Sequence, residues 1–169
     1  MVANGLLFNI SWLAIVSSES ALWAPLIAMI HVALHYSVMG RGQRELMLIG
    51  GITLFGLMLD QFLFAAGLFT VHGQPALAPL WLSCLWPALA TTLGHAFAGL
   101  QQRPVLASVL GAIGGGASYY AGTSMTAVDF GNPLTGLIAI AAIWALLFPA
   151  LAITAKHVLQ ENDHATSLA

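Results

Sequence analysis

The chain has 169 residues, 59% of them hydrophobic and only 6% charged, with a formal net charge of −2. A soluble domain is about 25% charged, so four Lys/Arg and six Asp/Glu cannot furnish a water-facing surface, and the solvent implied is lipid. The charge balance excludes a nucleic-acid partner, which needs clustered Lys/Arg. The lone Cys84 excludes a disulfide framework and a CxxC metal site.

A spanning helix needs about 20 mostly apolar residues. Six segments qualify: roughly 4–18, 22–39, 46–69, 79–100, 104–122 and 133–156. The expectation is an all-α polytopic membrane helix bundle. Residues 1–157 form a single transmembrane domain, and 158–169 form a short, disordered cytoplasmic tail. The first segment is short enough to tilt in from the interface. No Lys or Arg precedes it, so it reads as a retained span and not as a signal peptide.

The second segment carries His31 and His35, which share a helix face at i, i+4. The link GRGQRE follows it. The third segment places Thr53, Gly56, Asp60, Leu63 and Gly67 on one stripe. The fourth carries Trp81, Pro87, Thr91, Thr92 and His95. The fifth, LGAIGGGASYYAG, presents Gly111, Gly115, Ser118 and Gly122 on a small-residue face suited to close helix packing or to a groove. The sixth contains Pro149, which, like Pro87, should kink its helix.

Orientation follows from the basic residues. Arg41, Arg44, Arg103 and Lys156 all fall on one side of six spans, together with the N-terminus. The positive-inside rule makes that side, and both termini, cytoplasmic. Trp23 and Trp81 then sit near the outer ends as interfacial anchors. Glu19, Glu45 and Asp129 fall at span ends and are expected to be solvated. His72, His157 and His164 fall in links or tail and are expected to be solvated too.

Asp60 is the loudest residue, a carboxylate in the apolar run GLMLDQFLFAAG. An aspartate at a spanning helix centre costs about 2.5–3.5 kcal/mol, so it should find a partner. Asp60 and His31 each lie about nine residues, or about 14 Å, from the outer ends of their spans. The expectation is an Asp60–His31 contact, with His35 and His95 nearby at a common depth. This polar cluster is a candidate for ligand binding or proton handling, or a staple that sets helix register. Three histidines and a carboxylate are also the side chains that zinc or iron would use. Membrane metal-oxygenases carry many more histidines, so neither a metal nor a cofactor is expected. No Ser–His nucleophile pattern and no carboxylate pair points to an enzyme.

Taken together, the spans resemble a family of small bacterial inner-membrane proteins, domain of unknown function 2878. The resemblance covers about residues 6–157. It rests on LLFNISWLA, APLIAMIH, Arg44-Glu45-Leu46, the Gly56/Asp60 pair, Pro79-Leu-Trp81, Leu85-Trp86, LGAIGG–SYYAG and AIWALLFPAL. Where such families show Gly-Pro in the fifth span, this chain has Gly115-Gly116. The resemblance implies a multi-pass protein of the bacterial inner membrane, encoded near genes for cyclopropane-type fatty-acid modification.

Three functions follow as expectations. One is a lipid-linked protein that binds an acyl or isoprenoid chain or supports a lipid-modifying enzyme. Another is a small proton-coupled transporter. The third is a structural partner without chemistry. The partners expected are membrane lipid and another membrane protein or a second copy of the chain.

Overall fold

The computed structural model describes the backbone of residues 1–166 and the side chains of residues 1–159. The fold is all-helical apart from one small ribbon. Helices α1 (Val2–Ser18), α2 (Trp23–Met39) and α3 (Gln43–Ala65) follow in sequence. Strand β1 (Phe69–Val71) precedes two short helices, α4 (Leu80–Ser83) and α5 (Leu85–Leu93), and a 3₁₀ turn at Ala98–Leu100. Then come α6 (Pro104–Met125), β2 (Val128–Phe130) and α7 (Pro133–Thr166). Among the described residues, two helices, over Gln43–Ala65 and Pro133–Leu159, are long and apolar enough to cross a membrane.

Local chemistry accounts for most of the boundaries. Glu19 adopts a left-handed conformation that ends α1. Pro104 opens α6 at a position where its missing N–H costs nothing. Gly67, at φ +73, takes the turn after α3 that side-chain-bearing residues resist. The expected fourth span is not a single helix. Pro87 has no N–H to give the carbonyl four residues back, and the helix is interrupted at Cys84. It ends again at Gly94, after which residues 94–100 form turns. Pro149 lies inside α7, which continues past it. Because α7 is helical to Thr166, the expected tail begins inside that helix. Its side chains beyond 159, His164 among them, and residues 167–169 lie outside the described residues.

The arrangement of helices departs from sequence order. Helix α5 packs against α1, α2 and α3, whereas α2 and α3 barely meet despite a link of three residues. The most extensive pair is α6 with α7. Two stretches far apart in sequence close one end of the molecule. Strands β1 and β2 pair antiparallel, with Phe69 opposite Phe130 and Val71 opposite Val128. Phe69 stacks on Phe130 and Tyr119, at ring-centroid distances of 5.2 and 5.3 Å.

Polarity runs opposite to that of a water-soluble bundle. Helix α1 buries Asn4 and Ser11 but exposes Leu6, Ile10 and Leu13. Helix α2 buries His31 and His35 but exposes Met29, Ile30 and Leu34. Helix α3 buries Glu45 and Asp60 but exposes Met47, Leu54, Met58 and Phe62. Apolar residues still fill most of the interior, through Ile15, Leu48, Ile52, Trp86, Leu93 and Ile140. The polar side chains among them survive because they satisfy one another, as buried polar groups must.

Candidate functional site

The buried polar groups form two neighbouring sets at one end of the bundle and a separate one further along α3. The first is centred on Glu45. It lies in the first turn of α3, where its Oε2 accepts the backbone N–H of Arg41 at 2.6 Å and so closes the helix start. Its Oε1 receives two histidines: Nε2 of His35 at 3.1 Å and Nε2 of His95 at 2.8 Å. The two imidazoles meet edge to face, with centroids 4.8 Å apart. Asn4 of α1 completes the set. Its Oδ1 accepts the N–H of Ala96, and its Nδ2 reaches both the carbonyl of Thr91 (3.3 Å) and Nδ1 of His35 (3.1 Å). One donor atom from each of His35, Glu45 and His95 lies within 4.8 Å of the others.

The second set surrounds His31, one turn along α2. Ser11 of α1 lies 2.8 Å from its Nδ1, and Thr91 of α5 lies 3.0 Å from its Nε2. The Thr91 hydroxyl donates to the carbonyl of Ala88, so its oxygen accepts from His31. Thr91 thus serves His31 with its side chain and Asn4 with its backbone.

The third set is Asp60, at the crossing of α3 with α4 and α5. Its Oδ2 accepts from Ser83 Oγ and from the Trp86 indole N–H, each at 2.9 Å. Its Oδ1 has no hydrogen-bond partner among the described residues. Gly56, one turn earlier, lets the Trp86 ring lie directly on the α3 backbone. A Cβ there would overlap the indole.

Beside this core lies a cavity of about 590 Å³. Its walls are Phe8 and Trp12 of α1, Trp81 of α4, Trp86 of α5, and Trp144 and Phe148 of α7. The remaining side is the small-residue face of α6, including Gly111, Gly115, Ser118 and Gly122. The α6 glycines divide by role. Gly111 and Gly115 admit the Trp144 backbone and ring, so any side chain there would collide. Gly114 and Gly122 have nothing near the place of a Cβ, and both face the cavity.

Residues 1–150 match the profile of a family described as protein of unknown function (DUF2878). The chain belongs to that family. No curated protein and no solved structure matches it. The membership agrees with the resemblance read from the sequence, and the family's description assigns no activity.

The expected Asp60–His31 contact is absent: each residue has other partners. Two physical reasons account for this. Depth was counted from the outer span ends, but the helices are registered at the other end, where His35 meets Glu45. From that level His31 is four residues away, about 6 Å, and Asp60 fifteen, about 22 Å. Laterally, α5 stands between α2 and α3. Of the candidate residues, the structure brings His35 and His95 together, sets His31 beside them and leaves Asp60 apart. Gly67 lies beyond α3 in a turn, with nothing near its own Cβ position, and packs through its backbone, whose carbonyl lies against Gly131.

The remaining expectations divide, with Glu45 and Trp81 departing from them. Glu45, read as solvated, is 1% exposed. Glu19 and Asp129 are exposed, and Glu19 accepts the N–H of Ala127. His72 and His157 are exposed. Trp23 is exposed, but Trp81 is buried and lines the cavity. Asn4, Ser11 and Ser83 are site residues that the sequence does not single out. Their signal was faint: single small polar residues inside apolar runs.

Proposed function

We propose that this protein is a multi-pass membrane protein that holds an apolar chain, acyl or isoprenoid, in the cavity between α1 and α6. The observation that carries the reading is the cavity itself. Its volume of about 590 Å³ lies within the range of small-molecule sites, about 300–1,000 Å³. Its walls are aromatic rings and helix backbone exposed by glycine, and His31, His35, Glu45, Asp60 and His95 are not among its lining residues. Such a surface offers dispersion contacts to a hydrocarbon and few hydrogen bonds to a polar solute.

Membrane residence is supported by the inverted polarity of the bundle. Exposed faces rich in Leu, Ile, Met and Phe suit lipid, and buried polar groups that pair internally suit a medium without water. Helices α1 and α2, at 17 residues each, sit at the lower limit for a span. The broken α4–α5 segment is tolerable at membrane depth because it is enclosed by other helices. Basic residues at Arg41, Arg44, Arg103 and Lys156 support six crossings of the bacterial inner membrane with both termini in the cytoplasm. In this reading Asp60 is architectural, a buried acceptor that ties α3 to α4 and α5.

Native mass spectrometry of protein released from membranes in mild detergent tests the proposal. A retained lipid carrying an acyl or isoprenoid chain is expected. In Gly114→Leu, which fills the cavity without a backbone clash, its occupancy should fall several-fold. Absence of retained lipid, together with an unchanged membrane lipid profile on gene deletion, sinks the reading.

A further inference from the structure

Three donor atoms as close as those of His35, Glu45 and His95 invite comparison with a metal centre. The direction of the surrounding hydrogen bonds decides otherwise. We propose that this cluster is a proton-binding site, in which Nδ1 of His95 takes the proton, and not a metal centre.

Asn4 sets the direction of these bonds. A backbone N–H can only donate and a carbonyl can only accept. Ala96 N–H therefore fixes one end of the Asn4 amide as its oxygen, and the Thr91 carbonyl fixes the other as its nitrogen. The amide nitrogen is the atom that faces Nδ1 of His35, at 3.1 Å. It is a donor, so Nδ1 must accept. A neutral imidazole has one N–H, which then lies on Nε2 and donates to Glu45 Oε1. A doubly protonated His35 would set N–H against N–H. A metal-bound His35 would need a lone pair on Nε2 and hence a proton on Nδ1, which meets the same obstacle. Metal-bound histidines almost always donate their second N–H to an acceptor, and here that position is occupied by a donor.

With His35 held neutral, the one bond in the cluster that can run either way joins Glu45 Oε1 to Nε2 of His95, at 2.8 Å. Both carboxylate oxygens already accept a fixed N–H, from His35 and from Arg41. Two neutral histidines about an ionised Glu45 leave the three side chains with one net negative charge. A hydronium ion that gives its proton to the Nδ1 lone pair of His95 and departs as water removes that charge. The low-dielectric interior favours that outcome. His95 is also the most accessible member, its side chain 10% exposed against 0% for His35 and 2% for Glu45.

Other ionisable groups surround the site. Arg41 and Arg44 flank Glu45 on the link and on α3, and His31 lies one turn from His35 on α2. From α7, Leu159 closes on Gly94, with Lys156 and His157 on the preceding turn. The N-terminus lies at the start of α1. The acidic group bonded to His95 among the described residues is Glu45.

The proposal does not rest on the lipid reading, and its test is separate. The protein, labelled with ¹⁵N-histidine and placed in nanodiscs, is followed by long-range ¹H–¹⁵N spectra from about pH 5 to 8. Signals are assigned by their loss in His35→Gln and His95→Gln. His35 should keep the Nε2–H form throughout. His95 should carry two protons at the acid end and lose the Nδ1 proton as pH rises. Glu45→Gln should abolish that second proton across the range; if this variant does not fold, the unmodified protein's spectra decide alone. A His35 that carries an Nδ1 proton, or a His95 unchanged throughout, overturns the proposal. So does one equivalent of Zn²⁺ or Fe²⁺ bound by the unmodified protein and lost in His35→Gln.

Discussion

Glu45 and Asp60 are both carboxylates of α3, each 1% exposed, yet they are accommodated differently. Glu45 receives three N–H donors shared over both oxygens, from the preceding link, from α2 and from His95. Asp60 receives two donors on one oxygen and none on the other. The donors to Glu45 come from three separate places in the chain, so it ties together parts that Asn4 and the His31–Thr91 bond also link. The donors to Asp60 both come from the α4–α5 segment. Hydropathy made Asp60 conspicuous and Glu45 ordinary. Their bonding reverses that ranking, because a buried carboxylate matters in proportion to the donors it would strand.

The largest effect should come from removing the better-served group. Glu45→Ala leaves His35, His95 and the Arg41 N–H without their acceptor, and should cost about 3–5 kcal/mol, since each stranded buried donor costs about 1–3 kcal/mol. Thermal unfolding in detergent would measure it. A loss no greater than that of Asp60→Asn would dissolve the contrast. Next, Gly56→Leu should cost about 1–3 kcal/mol by overpacking against Trp86, which also donates to Asp60. Trp86→Phe keeps most of the packing but deletes that donor, and should cost about 1–2 kcal/mol. Its indole fluorescence is lost too, so unfolding should be followed by circular dichroism.

The smallest effect should be Asp60→Asn, at about 1 kcal/mol or less. The amide keeps an oxygen for Ser83 and Trp86, and puts its nitrogen where no partner stood. A large destabilisation would show that Oδ1 has a role its surroundings do not reveal.

The helices themselves were legible. Apolar length and punctuation by Gly and Pro located α1, α2, α3, α6 and α7 to within a few residues, α7's far end excepted. The fourth segment was misread because apolar composition says nothing of continuity, and Pro87 and Gly94 act on the backbone. The β1–β2 ribbon was invisible, since Phe69–Val71 and Val128–Phe130 are each three residues long and their pairing is wholly non-local. The candidate site was half legible. His35 and His95 stood out as histidines in apolar runs. Glu45 did not, because its neighbours Arg41 and Arg44 give the local sequence the look of a solvated link. Ten residues separate Glu45 from His35. A short link ends two antiparallel helices at one level, and that constraint, applied at the link, predicts their contact where counting from the far ends does not.

The position of α5 has a consequence for how the protein is made. Helices α1 to α3 leave the ribosome before the segment that joins them exists. His31 must wait for Thr91, sixty residues later in the chain, and Glu45 for His95, fifty residues later. Until then an early intermediate carries buried-type polar groups without all their partners, and closure of the N-terminal half coincides with the arrival of a nine-residue helix. Biogenesis is therefore most vulnerable in that interval, and substitutions at Thr91 or His95 should be felt first as lost assembly of the three helices already made.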